Sequence, residues 1–210
     1  FWNAGHMLGS SSVEIEVASK QGEPPLRILF SGDIGPGHKL LQADPEGPRD
    51  IDYLICEATY GDRDRPDVTR DERRRLLGQE VTHAAKVNGP LIIPSFAVER
   101  TQELLVDLFL LAQNGDVPAN LSIFVDSPLA TRASAVFGKH AEEIHDGDIL
   151  KRALASKNVR FTETVDQSKA INKLNGHYVV IAASGMCDAG RIRHHLKANL
   201  WKRNASILMA

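Results

Sequence analysis

Two short segments near the start of the chain carry the pattern of paired β-strands. Residues 13–17 (VEIEV) alternate apolar and charged side chains, as a half-exposed strand does. Turn residues 21–25 (QGEPP) separate them from residues 26–30 (LRILF), so a hairpin is expected. After a loop, residues 51–60 (IDYLICEATY) form a nearly continuous apolar run, which predicts a buried strand.

Beyond residue 62 the pattern changes to an alternation of strands and helices. The predicted strands are 90–95, 121–126, 159–163, 177–184 and 204–210. The predicted helices are 70–87, 97–113, 127–144, 166–174 and 190–200. Such alternation is typical of a parallel sheet with helices on both faces.

These patterns predict an α/β chain in two parts. Residues 1–61 form a mixed part that contains the hairpin, and residues 62–210 form a mainly parallel sheet flanked by helices. The composition changes near residues 61–66, which we take as the boundary.

Composition limits the class of protein. The chain has 210 residues, 42% hydrophobic and 25% charged, with a formal net charge of −2, so any phosphate binding must come from local patches. No apolar run approaches a membrane span and no secretory signal is evident. Two cysteines in apolar runs, Cys56 and Cys187, favour a reducing, cytoplasmic location. Both ends of the chain look cut, so we expect a fragment of a longer protein.

Three polar residues of the first part stand where a β run meets a loop. His6 follows Gly5, Asp33 lies in the turn SGDIG, and Glu57 follows the run YLIC. Histidine nitrogen and carboxylate oxygen are ligands that suit zinc. The alternative is structural, since a turn histidine can be incidental and a turn aspartate can simply accept backbone N–H bonds.

The second part offers three turns between a strand and a helix. Such turns expose free N–H groups at a positive dipole end, where anions bind. After parallel strands, they are expected along one edge of the sheet. Their candidate phosphate contacts are Ser95, Arg100, Ser127, Ser184 and Gly185. The alternative is that residues such as Ser127 and Asp188 only cap helices, and that the basic residues 191–197 form a solvated face.

Six motifs, taken together and in order, resemble a known family. They are NAGHMLGS, SGDIG, CEATYGDR, IPSFAVERTQELL, VDSPLA and AASGM followed by GRIRHHL. They are similar to the β-CASP branch of the metallo-β-lactamase superfamily, which includes ribonuclease J and the pre-mRNA 3′-end cleavage endonuclease, and most of all to its bacterial and archaeal members. The resemblance implies part of a metallo-β-lactamase αββα sandwich in residues 1–61 and a nearly complete β-CASP domain in residues 62–210.

The resemblance also implies roles for the first three candidates. His6 would be a ligand of one zinc ion, Asp33 would bridge two zinc ions, and Glu57 would be a proton-handling residue beside them. The family's H-x-H-x-D-H motif and its C-terminal motifs are missing from the chain. The remaining histidines fall outside the family motifs and are given no role: His83, His140, His177, His194 and His195.

The function implied is zinc-dependent hydrolysis of RNA phosphodiester bonds, by endonuclease or exonuclease action, with Asp33 and Glu57 as catalytic residues. The partner expected is single-stranded RNA, and a homodimer stays open. Because most zinc ligands are missing, we expect the 210 residues alone to be inactive. Two alternatives are a DNA-directed nuclease of the same fold and a non-catalytic nucleic-acid-binding module.

Overall fold

The computed structural model describes residues 1–20, 22–64 and 68–209. The chain forms two compact units, Phe1–Arg70 and Asp71–Ala210. The predicted boundary region extends to Arg65 and Pro66, and the predicted turn 21–25 begins at Gln21. These three residues lie outside the described part of the chain, as does Ala210 at the end of the last predicted strand.

The first unit is built on a sheet of four strands. The strands are β1 (Trp2–Asn3), β2 (Ser11–Val17), β3 (Leu26–Phe30) and β4 (Tyr53–Ile55), in that order across the sheet. β2 and β3 pair antiparallel with Val13 opposite Phe30, which confirms the predicted hairpin. β4 pairs parallel with β3. This topology places the start of β2 and the ends of β1, β3 and β4 at one edge of the sheet.

The prediction of a long buried strand over residues 51–60 is wrong. β4 covers only Tyr53–Ile55, and its three side chains are 60%, 60% and 49% exposed. β4 is the last strand in the order of the sheet, and no described residues of the first unit cover its side chains. The apolar run shows that this strand is suited to burial, but the cover is missing from the described unit.

The second unit contains a five-stranded sheet and six α-helices in its described residues. The strands are β5 (Pro90–Pro94), β6 (Ile123–Val125), β7 (Val159–Phe161), β8 (Tyr178–Ala182) and β9 (Ser206–Ile207). The helices are α1 (Arg70–Lys86), α2 (Arg100–Asn114), α3 (Pro128–Lys139), α4 (Gly147–Leu154), α5 (Val165–Ile171) and α6 (Ile192–Asn199). The strand order is β7-β6-β8-β5-β9 and every pairing is parallel, as predicted.

Helices bury both faces of this sheet. In β5, Leu91 and Ile93 join a core that includes Leu105 of α2, whereas Ile92 points to a second core that includes Ile192 of α6. Successive side chains of a strand point to opposite faces, so the continuous run LIIP is fully buried. The mainly parallel sheet flanked by helices is therefore confirmed.

Some helix boundaries differ from the prediction. α2 begins at Arg100 rather than at residue 97, because Glu99 has a positive φ of 69° that is incompatible with a helix. α3 ends at Lys139, and a separate 3₁₀ turn covers Ala141–Glu143. α4 was missed, since it has only 8 residues and no side chain caps its start.

Several other elements of the second unit are shorter than predicted. The strand predicted over 121–126 covers Ile123–Val125, and the helix predicted over 190–200 covers Ile192–Asn199. No helix among the described residues has both the length and the apolar character that crossing a membrane would require.

Candidate functional site

His6 lies in a turn that is fixed by local hydrogen bonds. The N–H groups of His6 and Met7 both donate to Ser10 Oγ, at 3.0 and 3.1 Å. The preceding N–H of Gly5 donates to Asn3 Oδ1 at 2.9 Å, and Gly5 has a positive φ of 64°. The turn between β1 and β2 is therefore an ordered structure that positions the half-buried imidazole.

The turn that carries Asp33 contacts the His6 turn directly. The N–H of Gly35 donates to the carbonyl of Ala4 at 2.8 Å. A Cβ at position 35 would lie only 1.9 Å from the carbonyl oxygen of Gly5, so only glycine allows this approach. The backbones of the two turns are therefore in contact, and Asp33 is exposed in the turn that follows β3.

Glu57, which follows β4, stabilises the turn that carries Asp33. Its Oε1 accepts the N–H of Ile34 at 2.9 Å, and its own N–H donates to Ser31 Oγ at 2.9 Å. Its Oε2 accepts the Thr59 hydroxyl at 2.6 Å. This hydroxyl bond and the backbone N–H bonds lower the pKa of Glu57, and His6 adds a smaller attraction.

The structure therefore gathers the three candidates of the first part at one edge of the first sheet. Among the described residues, however, no group of three or more His, Cys, Asp or Glu side chains is arranged to hold a metal ion. The chemistry of His6 and Asp33 fits zinc, but a zinc site needs about four ligands. These two residues would supply only part of a zinc site, and the zinc assignment stays a prediction.

The three predicted phosphate-binding turns lie side by side in the second unit. They follow β6, β8 and β5, which are neighbours in the parallel sheet. The N–H of Ser95 donates to the carbonyl of Ala182 at 3.0 Å, and the N–H of Asp126 donates to that of Ile181 at 2.8 Å. The expected row along one edge is present, and we call it the carboxyl edge.

The candidate side chains of this edge make bonds within the protein. Ser127 is the N-cap of α3 and accepts the Ala130 N–H at 3.2 Å. This confirms the alternative interpretation that Ser127 caps a helix. Ser95 is buried and donates to the carbonyl of Phe96 at 3.2 Å. Ser184 Oγ donates to Asp188 Oδ1 at 2.5 Å, so Asp188 pairs with a serine and caps no helix.

The other two candidates of the edge differ from the serines. Arg100 pairs with the buried carboxylate of Glu103 at 3.1 Å, which neutralises part of its charge. Gly185 lies directly against the ring of Phe96. The role of all five candidates in binding RNA stays a prediction.

A buried polar network, which sequence reasoning missed, lies directly below the carboxyl edge. Asp126 is fully buried at the end of β6. Its Oδ2 accepts from His195 Nε2 at 2.6 Å and from Ser168 Oγ at 2.5 Å. Its Oδ1 accepts from Arg191 Nη1 at 2.7 Å and from the hydroxyl of Thr162.

This network corrects the assignment of residues 191–197 to a solvated face. His195 is fully buried, and its Nδ1 lies 3.0 Å from Asn172 Oδ1. Burial alone would raise the pKa of Asp126, but bonds from His195, Ser168, Thr162 and Arg191 outweigh it and hold the pKa well below its usual value. The residues of this network are far apart in sequence, so no local motif could reveal the network. Only Arg193, His194 and Lys197 of the segment are solvent-exposed.

A comparison with family models identifies the second part of the chain. Residues 101–210 match the Beta-Casp domain model. The chain belongs to the β-CASP family of the metallo-β-lactamase superfamily. The β-CASP match includes Ser127, Ser184 and Gly185 and the Asp126 network, whereas Ser95 and Arg100 precede it.

Curated relatives match all or most of the chain. A ribonuclease of Thermus thermophilus is 34% identical over 216 residues, which cover 100% of this chain and 47% of that protein. An RNase J-like protein of Methanocaldococcus jannaschii is 33% identical, with 99% of this chain and 47% of that protein covered. Cleavage and polyadenylation specificity factor 73 of Drosophila melanogaster is 30% identical over 90% of this chain and 27% of its own length.

The chain spans about half the length, or less, of these relatives. The end-to-end match includes the turns of His6, Asp33 and Glu57 as well as the β-CASP segment. The two candidate regions therefore occur together in relatives named as ribonucleases.

Proposed function

We propose that the intact protein is a zinc-dependent ribonuclease that hydrolyses phosphodiester bonds of single-stranded RNA. The observation that carries the proposal is the convergence of His6, Asp33 and Glu57 at one edge of the first sheet. The alignment of the whole chain with relatives named as ribonucleases supports RNA as the substrate. Relatives named as endoribonucleases support endonuclease action, and exonuclease action stays open.

The proposed metal centre uses two residues of this chain. His6 would hold one zinc ion, and Asp33 would hold both, since a carboxylate has two ligand oxygens. When bound, two zinc ions activate water and stabilise negative charge on the phosphoryl oxygens. The remaining ligands would come from parts of the intact protein outside these 210 residues, so we propose that the 210-residue chain is inactive alone.

Glu57 supports this centre in two ways. By accepting the N–H of Ile34 it fixes the turn that presents Asp33. Its lowered pKa keeps it ionised at neutral pH, so it is suited to accept a hydrogen bond that orients a group near the reacting centre.

The carboxyl edge of the β-CASP part would hold the RNA backbone. Backbone N–H groups at the starts of helices and the turns of Ser95, Ser127 and Ser184 suit phosphate oxygens, with Arg100 and Gly185 beside them. Phosphate contacts position a nucleic acid without reading its bases, so sequence selectivity should be slight.

The proposed location is the cytoplasm. Both cysteines are free thiols, Cys56 exposed and Cys187 half-buried, which favours a reducing compartment. A homodimer stays a prediction that neither the fold nor the site addresses.

The test is a cleavage assay of the intact protein with Asp33→Ala. We expect loss of RNA cleavage by about a thousandfold, because several kcal/mol of charge stabilisation disappear. Chelator should abolish wild-type cleavage and zinc should restore it, and the variant should bind less zinc by elemental analysis. Asp71→Ala is the matched control, since the Asp71 carboxylate is solvent-exposed on α1, where it lies 3.6 Å from Arg74, and is outside the family motifs.

Three results would contradict this proposal in different ways. Unchanged cleavage by Asp33→Ala would refute the metal assignment. Cleavage of single-stranded DNA in preference to RNA would favour the DNA-directed alternative. Binding of RNA without cleavage in any condition would favour the non-catalytic binding module.

A further inference from the structure

Each turn of the carboxyl edge, or the first turn of the helix that follows it, presents one large apolar side chain to solvent. Phe96 follows β5, Leu129 follows β6 and Met186 follows β8, and they are 55%, 53% and 71% exposed. Because neighbouring parallel strands are about 5 Å apart, the three strands that precede these residues span about 10 Å. Phe96 is the only aromatic member, and its neighbours Ser95 and Ala97 are both buried.

The ring of Phe96 lies against the bare backbone of Gly185 in the neighbouring turn. A Cβ at position 185 would lie 3.0 Å from Phe96 Cδ2 and 3.1 Å from Cε2. A larger residue there would require the ring to shift by a few tenths of an ångström. Gly185 therefore supports the ring while leaving part of the Phe96 side chain exposed.

The backbone that carries the ring is fixed before any ligand arrives. The carbonyl of Phe96 accepts the hydroxyl of Thr101 at 2.7 Å and its N–H at 3.3 Å. The preceding Ser95 is bonded to the end of β8 through its N–H. An exposed aromatic ring on such a rigid turn loses little conformational freedom when a flat ligand stacks on it.

We propose that Phe96 is a base-stacking residue for single-stranded RNA, with Met186 and Leu129 as flanking apolar contacts. The proposal rests on the proposed ribonuclease function. Proteins that hold single strands without sequence preference combine backbone contacts with aromatic rings on which bases stack. The carboxyl edge offers both features in one row, with the turns suited to phosphates and the ring suited to a base.

The experiment measures binding of a fluorescein-labelled oligouridine to the intact protein by anisotropy, with chelator present to prevent cleavage. We expect Phe96→Ala to weaken binding about tenfold, as for other base-stacking residues. Phe96→Trp should bind like the wild type, and Phe96→Leu should bind like Phe96→Ala. With an oligonucleotide of abasic sites, wild type and Phe96→Ala should bind equally, because the probe has no bases to stack.

Trp201→Ala is the matched control. Trp201 is also an exposed aromatic residue, at 76%, but it follows the C-terminal end of α6 rather than a turn of the carboxyl edge. We expect this variant to bind oligouridine like the wild type. Thermal unfolding of Phe96→Ala should match the wild type, because the deleted ring is mostly exposed.

The outcomes separate this inference from the proposed function. If the wild type binds oligouridine and Phe96→Ala binds it equally well, the stacking role is refuted and the ribonuclease proposal stands. Full binding by Phe96→Leu would also refute stacking and would favour a general apolar contact, such as a protein segment. If the wild type binds no RNA at all, both the inference and the substrate of the proposed function are refuted.

Discussion

β4 and β8 are both short, apolar strands that pair parallel with a neighbour, yet their side chains meet different surroundings. Tyr53, Leu54 and Ile55 of β4 are largely exposed, whereas all five residues of β8 are buried. β8 lies in the interior of its sheet, and α-helices of the same unit cover both faces. The second unit therefore contains its own core, whereas the described residues of the first unit leave β4 uncovered.

The candidate sites of the two units show the same difference. The carboxylate of Asp126 is buried and accepts hydrogen bonds from four side chains of the second unit. Asp33 in the first unit is exposed at the edge of its sheet. A satisfied buried carboxylate is suited to hold structure, whereas an exposed one among ordered turns is available to a ligand.

The largest expected effect on stability is that of Asp126→Asn. The change removes a buried charge and leaves Arg191 without its carboxylate, so we expect a loss of about 4 kcal/mol in the free energy of unfolding. Asp33→Asn is the matched control and should change stability by less than about 0.5 kcal/mol. Urea unfolding followed by circular dichroism measures both, and equal effects would contradict the distinction between the two carboxylates.

The lowered pKa of Asp126 also predicts how stability depends on pH. A depressed pKa in the folded state stabilises the fold above the unfolded value of about 3.9. This contribution is lost as the pH falls below about 4 towards the folded pKa. Asp126→Asn should therefore unfold with a weaker acid dependence than the wild type over this range. An identical acid dependence would show that other groups control acid unfolding.

The next prediction compares the strands directly, through Ile181→Ala in β8 and Leu54→Ala in β4. In the 210-residue chain, Ile181→Ala should cost about 3 kcal/mol, because it leaves a cavity in a closed core. Leu54→Ala should cost less than about 0.5 kcal/mol there, since its side chain is exposed. Hydrogen exchange resolved by peptide measures each unit separately.

In the intact protein the result for Leu54→Ala should change. If the rest of a metallo-β-lactamase sandwich covers β4, the same truncation should destabilise the first unit by about 2 kcal/mol. An equally small effect in the intact protein would show that β4 stays exposed and would contradict the predicted sandwich.

The elements with strong local signals were predictable from the sequence. β3, β5 and α1 appear within one residue of their predicted bounds, because apolar runs and glycine or asparagine stops are local features. α4 was not predictable, since it is short and has no capping side chain. The exposure of β4 was not predictable either, because burial depends on what packs on a strand and not on the strand itself.

The candidate sites also contain features that the sequence predicts and features that it does not. His6, Asp33 and Glu57 could be named from their positions after strands and from the family motifs. The hydrogen bond from the N–H of Ile34 to Glu57 could not be predicted, since the two residues are 23 positions apart. The Asp126 network and the exposed ring of Phe96 depend on long-range packing, which a single sequence does not reveal.

The smallest predicted effect concerns Ser127, which belongs to the closed unit and also to the proposed RNA-binding edge. Ser127→Ala removes the N-cap of α3, so we expect a loss of about 1 kcal/mol in stability. Ser127→Asp keeps a capping oxygen and adds a negative charge near the helix N-terminus, so stability should stay within about 0.5 kcal/mol of the wild type.

The two Ser127 variants separate a capping role from a phosphate contact. If RNA phosphates bind at this turn, Ser127→Asp should weaken oligouridine binding by charge repulsion although α3 is intact. Binding by Ser127→Asp at the wild-type level, measured by anisotropy at low salt where such repulsion is strongest, would show that Ser127 only caps α3. The proposed RNA contacts of the carboxyl edge would then come from its other turns, and the contrast between a self-contained β-CASP unit and an open unit that carries the candidate metal ligands would extend to this serine.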